Sequence, residues 1–140
     1  MSRVFELFAL GGYLISALLI SWSDIKNRII RNRSLAFFAI FSILANLKSF
    51  DSGALICVGL TTFLMIAAHI IFNGRIGPGD LKLFWVMTIW APVFTGWLVY
   101  FSWSWILGGL FSIASSLYSR KFSGSIPFAP FIFLAFLASV

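Results

Sequence analysis

The stretch LKLFWVMTIWAPVFTGWLVYFSWSWILGGLFSIASSLYS, residues 81–119, runs for 39 residues and carries one charge, Lys82. A hydrocarbon core of about 30 Å is crossed by roughly 20 helical residues, with a usual range of about 17–25. The run is too long for one crossing. It predicts two, joined near Ala91–Gly96, where Pro92 and Gly96 are turn formers. Two crossings also return Arg120 to the side of Lys82.

Outward from this run lie four more apolar stretches, 4–23, 34–50, 53–73 and 126–140. The expected spans are therefore 4–23, 34–50, 53–73, 81–97, 98–119 and 126–140. Unpaired amides cannot face lipid, so each is helical. The fold class is an all-α integral membrane protein, one transmembrane domain over 1–140, with about six helices and short loops. Composition agrees: 61% of the 140 residues are hydrophobic and 10% charged, against about a quarter charged in soluble domains. Pro127 and Pro130 predict a broken or extended start to the last span. Gly59, Ala67, Ala68, Gly108 and Gly109 suit close helix packing.

The net charge of +6 reflects topology. Lys26, Arg28, Arg31 and Arg33 fill the first break, Arg75 and Lys82 the second, Arg120 and Lys121 the third. With these breaks cytoplasmic, only Arg3 and Lys48 lie outside, as does each terminus. Such placement excludes a nucleic-acid surface. The single cysteine, Cys57, excludes a disulfide framework and CxxC metal sites and reads as packing. Run 4–23 lacks a basic n-region and an A-x-A exit, so it reads as a retained span rather than a cleaved signal.

Asp24 ends the first span and Asp80 begins the fourth, both at the cytoplasmic interface by this topology. Two carboxylates at one depth on different helices can share a proton, one pKa rising. The ionised member then takes a proton from water while the protonated one polarises a carbonyl. This chemistry needs neither metal nor cofactor, and none is expected. In "GPGD", Gly77 and Gly79 permit unusual backbone and Pro78 stiffens the approach. The N-terminus of its helix favours ionised Asp80, opposing an upward shift, so acid and base stay unassigned at this point. Each aspartate alone also reads as a solvated cap, and Asp24 as a helical-spacing partner of Arg28.

These residues resemble the type IV prepilin peptidases. DIKNRIIRN (24–32) is similar to their first aspartate motif, with Arg31 where a proline is usual; the arginine is expected to alter the turn into the second helix without removing chemistry. GPGDLKL (77–83) is similar to their GxGD motif, and SIPFAPFIFLAF (125–136) to the Pro-rich opening of their last span. No part with cysteine pairs precedes the first run here. The likeness is thus to the short, peptidase-only members serving tight-adherence (Flp-type) pili, without N-methylation. The resemblance implies a hydrolase of the bacterial inner membrane, cutting the short basic leader from a prepilin or pseudopilin at the cytoplasmic face, just before the apolar helix that such a substrate holds in the membrane. Asp24 and Asp80 carry over as the catalytic pair. Gly77, Pro78 and Gly79 are expected to position the loop, and Lys26, Arg28 and Lys82 are candidates for orienting an acidic substrate residue or holding the lipid interface, beside the plainer reading that they set topology alone.

Two other classes fit the same composition: an ion- or proton-coupled transporter, and a non-catalytic pilus-assembly scaffold. A transporter places its carboxylates near midmembrane and repeats its halves, which this chain does not. A scaffold tolerates loss of both carboxylates. His69 reads as a neutral histidine bonded to a neighbouring helix, or a relay. Trp85, Trp90, Trp97, Trp103 and Trp105 mark interfaces and helix contacts, and Glu6 and Asp51 fall on the far side from the pair. The sequence sets no oligomeric state.

Overall fold

The computed structural model describes residues 3–47, 52–71, 77–91, 93–119 and 127–138. Lys48, Asp51, Arg75, Pro92, Arg120 and Lys121, with the side chain of Glu6, lie outside the described residues. Among those described, the structure is all-helical: α1 (Arg3–Asn27), α2 (Asn32–Asn46), α3 (Ser52–Ile71), α4 (Pro78–Thr88), α5 (Phe94–Ser119) and α6 (Ala129–Leu137).

Three of these helices are long and apolar enough to cross a membrane, through Leu7–Asn27, Ser52–Ile71 and Phe94–Tyr118. Their outward faces are greasy, with Leu18 72% and Leu117 73% exposed. Lipid solvates such faces and water does not; the chain is a membrane protein. Helices α2, α4 and α6 have 15, 11 and 9 residues. At about 1.5 Å per residue none reaches about 30 Å.

The division at 97/98 is corrected. Helix α4 stops at Thr88, where Ile89, Trp90 and Ala91 donate to the carbonyls of Val86, Met87 and Thr88, three residues back, at 3.1, 3.0 and 3.2 Å. Such tightened bonds close a helix end. The proline next in sequence disfavours helical backbone at Ala91. Gly96 is not in the turn: it lies inside α5, with nothing within 4 Å of a Cβ placed on it. The last helix starts at Ala129, later than 126, and α1 runs past 23 to Asn27, carrying Asp24 on its last turn.

Helix α4 packs against α2, α3 and α6, and α6 also against α1 and α5. Tyr13, Phe38, Trp90, Phe133 and Phe136 form one aromatic core, tied by Tyr13 Oη donating to the Phe133 carbonyl at 3.0 Å. Phe84, Phe101, Trp105 and Phe128 form a second. A buried polar thread joins α3, α4 and α5: Thr61 Oγ1 lies 3.0 Å from Thr88 Oγ1, which lies 3.0 Å from Tyr100 Oη. Trp97 Nε1 donates to Thr61 Oγ1 at 2.7 Å. Interhelical hydrogen bonds of this kind contribute about 0.6–2 kcal/mol each in a membrane.

Of the expected tryptophan contacts, Trp90 also reaches Ser42 Oγ at 2.8 Å, while Trp103 is 44% exposed. Gly108 meets the Phe128 ring, whereas Gly59 and Gly109 face open space. Cys57 is fully buried. The expected hydrogen bond of His69 is not found on one side of the ring: Nδ1 is buried with no partner among the described residues.

Candidate active site

Asp24 sits in the last turn of α1. The chain leaves that helix through Arg28, whose φ of 54° is left-handed and whose N–H still donates to the Asp24 carbonyl at 2.9 Å. Left-handed backbone on a residue with a Cβ is held by its surroundings and is common at functional sites. Here Ser23 Oγ clasps the turn by donating to the Ile29 carbonyl at 2.9 Å. Arg31 then caps α2 with φ −69°. That is a value proline also holds.

Asp80 lies in the first turn of α4, with Gly77 as N-cap and Pro78 beginning the helix. Pro is favoured there because its fixed φ is helical and the first amides need no intrahelical acceptor. The two glycines do different work. A Cβ on Gly77 would stand 3.3 Å from Asp80 Oδ2, so its absence leaves room at the carboxyl group. A Cβ on Gly79 would stand 3.0 Å from Ile30 Cβ, so its absence lets α4 approach the α1–α2 turn.

That approach brings the two motifs together. Asp24, Arg28, Asn32, Gly77, Pro78, Gly79, Asp80 and Lys82, with Ile29 and Ile30, line one cavity of about 320 Å³. Lys26 is exposed on α1 and does not line it. Lys82 Nζ donates to Asn32 Oδ1 at 3.2 Å, tying α4 to α2.

The two carboxyl groups differ in surroundings. Asp24 is 5% exposed, and its Oδ2 accepts the backbone N–H of Ala129 at 2.9 Å. Ala129 opens α6, so Asp24 faces the positive end of that helix. Arg28 acts on it electrostatically. Asp80, outside the three long spans, is pushed up to about 7 by burial and then by the negative charge of Asp24. Burial disfavours a carboxylate and a like charge does so further. These outweigh the N-terminus of α4.

Ala129, Ile30 and Asn32 were not among the expected site residues. Asn32 ends the first aspartate motif, and Pro127 and Pro130 bracket Ala129, which were the available signals. Among the described residues no cluster of His, Cys, Asp and Glu suits a metal ion.

Residues 12–113, well over half the chain, match the type IV leader peptidase family. The matched region contains Asp24 and Asp80; α6 lies beyond it. No curated protein and no solved structure matches the chain.

Proposed function

This chain belongs to the type IV leader peptidase family, and on that premise we propose that it cuts the leader from type IV or Flp-type prepilins with Asp24 and Asp80 as its catalytic pair. The observation that carries this reading is the pairing of two carboxyl groups of unlike surroundings in one cavity.

The surroundings suggest roles. Asp24, whose Oδ2 accepts the Ala129 N–H at the start of α6 and which shares its cavity with Arg28, is the carboxylate and general base. Asp80, held near 7, is the protonated acid. Water loses a proton to Asp24, its oxygen adds to the scissile carbonyl carbon, and Asp80 protonates the carbonyl oxygen. The tetrahedral diol collapses when Asp24 passes its proton to the amide nitrogen. The C–N bond breaks, and the diol returns a proton to Asp80. No covalent intermediate forms.

The missing Cβ of Gly77 leaves room at the Asp80 carboxyl for an extended substrate backbone, while Gly79 lets α4 close on Ile30 and Pro78 fixes the loop. Arg28 and Lys82, which line the cavity, orient an acidic substrate residue, and exposed Lys26 holds the lipid interface. Clustered basic residues around the pair support a cytoplasmic active site in a multi-pass protein of the bacterial inner membrane.

The test is cleavage of a tagged Flp-type prepilin in membranes holding wild type, Asp24→Asn or Asp80→Asn, read by gel shift. Cleavage by wild type alone is expected. Cleavage surviving either substitution removes the paired-carboxylate mechanism, and no cleavage by wild type across several prepilins removes the substrate assignment.

A further inference from the structure

A second cavity, of about 490 Å³, borders the first. Asn32 and Lys82 line both, so their 3.2 Å hydrogen bond stands between the two. Beyond that point the chemistry changes. Helix α2 contributes Leu35, Ala36 and Ala39; α3 contributes Thr61, Thr62, Met65 and Ile66; α4 contributes Leu81, Trp85 and Val86.

Each set follows helical spacing, one stripe per helix, so the groove runs along the helix axes rather than across them. From Asn32 to Ala39 it extends about 10 Å, or two helical turns. Its polar atoms are already engaged: Trp85 Nε1 donates to Thr62 Oγ1 at 2.9 Å, Thr62 Oγ1 to the Val58 carbonyl at 2.8 Å, and Thr61 Oγ1 to the Cys57 carbonyl at 2.8 Å. An occupant gains apolar contact and finds no free hydroxyl. The alanines of α2 permit a backbone to come close, as small residues do between membrane helices, and Met65 adapts to varied side chains.

Resting on the peptidase reading, we propose that this groove is the docking subsite for the apolar helix that follows the scissile bond of the substrate. A polypeptide crossing the carboxylates and turning past Lys82 enters the groove directly. The mode is an apolar helix laid along a groove, read through residues three, four and seven apart. The carboxylate cavity then handles the backbone at the cut, and the groove selects what comes after it. An acyl chain fits the same walls but has no reason to continue into the carboxylate cavity.

Two measurements test this. First, a photo-crosslinking residue is placed at Ala36 or Ile66 in the groove, or at Ile113 or Leu117 on the exposed face of α5. The Asp80→Asn chain, in membranes with full-length prepilin, should crosslink substrate from the groove positions only. Crosslinks to lipid alone, or to prepilin from α5 alone, overturn the proposal. Second, KM is compared for full-length prepilin and for a leader-spanning peptide without the apolar helix. Ala39→Trp should raise KM for prepilin about tenfold more than for the peptide, since it removes binding made only by the helix; Ile113→Trp should not separate the two. If wild type cleaves both substrates and Ala39→Trp shifts their KM values equally, the groove assignment falls and the peptidase reading stands. If wild type cleaves neither, both fall.

Discussion

The backbone N–H of Ala129 donates to Asp24 Oδ2 at 2.9 Å, joining residues 105 positions apart. One bond thus connects the end of α1 to the start of α6. It satisfies an amide that a helix leaves without an intrahelical acceptor, and it fixes one oxygen of Asp24. Asp24→Asn keeps an acceptor there, whereas Asp24→Ala leaves the amide buried and unpaired, at a cost of about 1–3 kcal/mol. The expected result is that both variants lose cleavage but only Asp24→Ala loses substantial thermal stability. Equal melting temperatures would show that the bond contributes little.

Gly108→Ala tests the same bond from a distance. The Phe128 ring occupies the place a Cβ on Gly108 would take, and Phe128 immediately precedes Ala129. Added bulk in a packed core costs about 1–3 kcal/mol, and here it pushes the α6 start away from Asp24. Reduced melting temperature together with reduced kcat is expected. Lowered stability with kcat intact would place the α6 start outside the chemistry.

Asp80 sets a pH dependence. Its pKa rises from 3.8 to about 7 on folding, through burial and then the charge of Asp24. The folded chain therefore holds this proton more tightly than the unfolded one. The stability it contributes is full below the unfolded value and is lost as pH rises through about 7. Asp80→Asn removes the slope, so it should melt higher than wild type at pH 8 and close to it at pH 4. Wild-type cleavage should decline above about pH 7 as the acid ionises. Parallel stability profiles for the two chains would contradict the shift.

The sequence marks the two carboxyl groups because acids are so rare in it, and the glycines beside Asp80 mark a close approach. It does not mark Ala129, whose contribution is a backbone amide with no side-chain signature; only the flanking Pro127 and Pro130 hint at a helix start. Hydropathy located the double run at 81–119 but not its division. Thr88 and Phe94 are bounded by local turn bonding, and an eleven-residue helix beside a 26-residue one has the same summed apolarity as two equal halves. The polar thread through Thr61, Thr88 and Tyr100 was equally hidden, since periodicity cannot say which threonines face one another.

Gly77→Ala and Gly79→Ala separate two roles of one motif. The first brings a methyl 3.3 Å from the Asp80 carboxyl, a tolerable contact that narrows the cavity. The second brings one 3.0 Å from Ile30 Cβ and must displace the α1–α2 turn. Gly77→Ala is expected to lower kcat with little change in melting temperature, and Gly79→Ala to lower both. The reverse pattern would mean that Gly77, not Gly79, holds the motifs together.

Arg28 combines strain with charge, and substitutions divide them. Its φ of 54° costs a residue bearing a Cβ on the order of 1 kcal/mol, a penalty glycine escapes. Its guanidinium lines the cavity and acts on Asp24. Arg28→Gly should therefore raise the melting temperature while lowering cleavage. Arg28→Ala should lower cleavage without that gain, and Arg28→Lys should recover part of the activity with the strain intact. The three variants, measured for thermal unfolding and for kcat, distinguish charge from backbone. Were Arg28→Gly more stable and fully active, the left-handed arginine would be a geometric accident of the turn; loss of activity despite added stability assigns the strain to holding a cation beside Asp24.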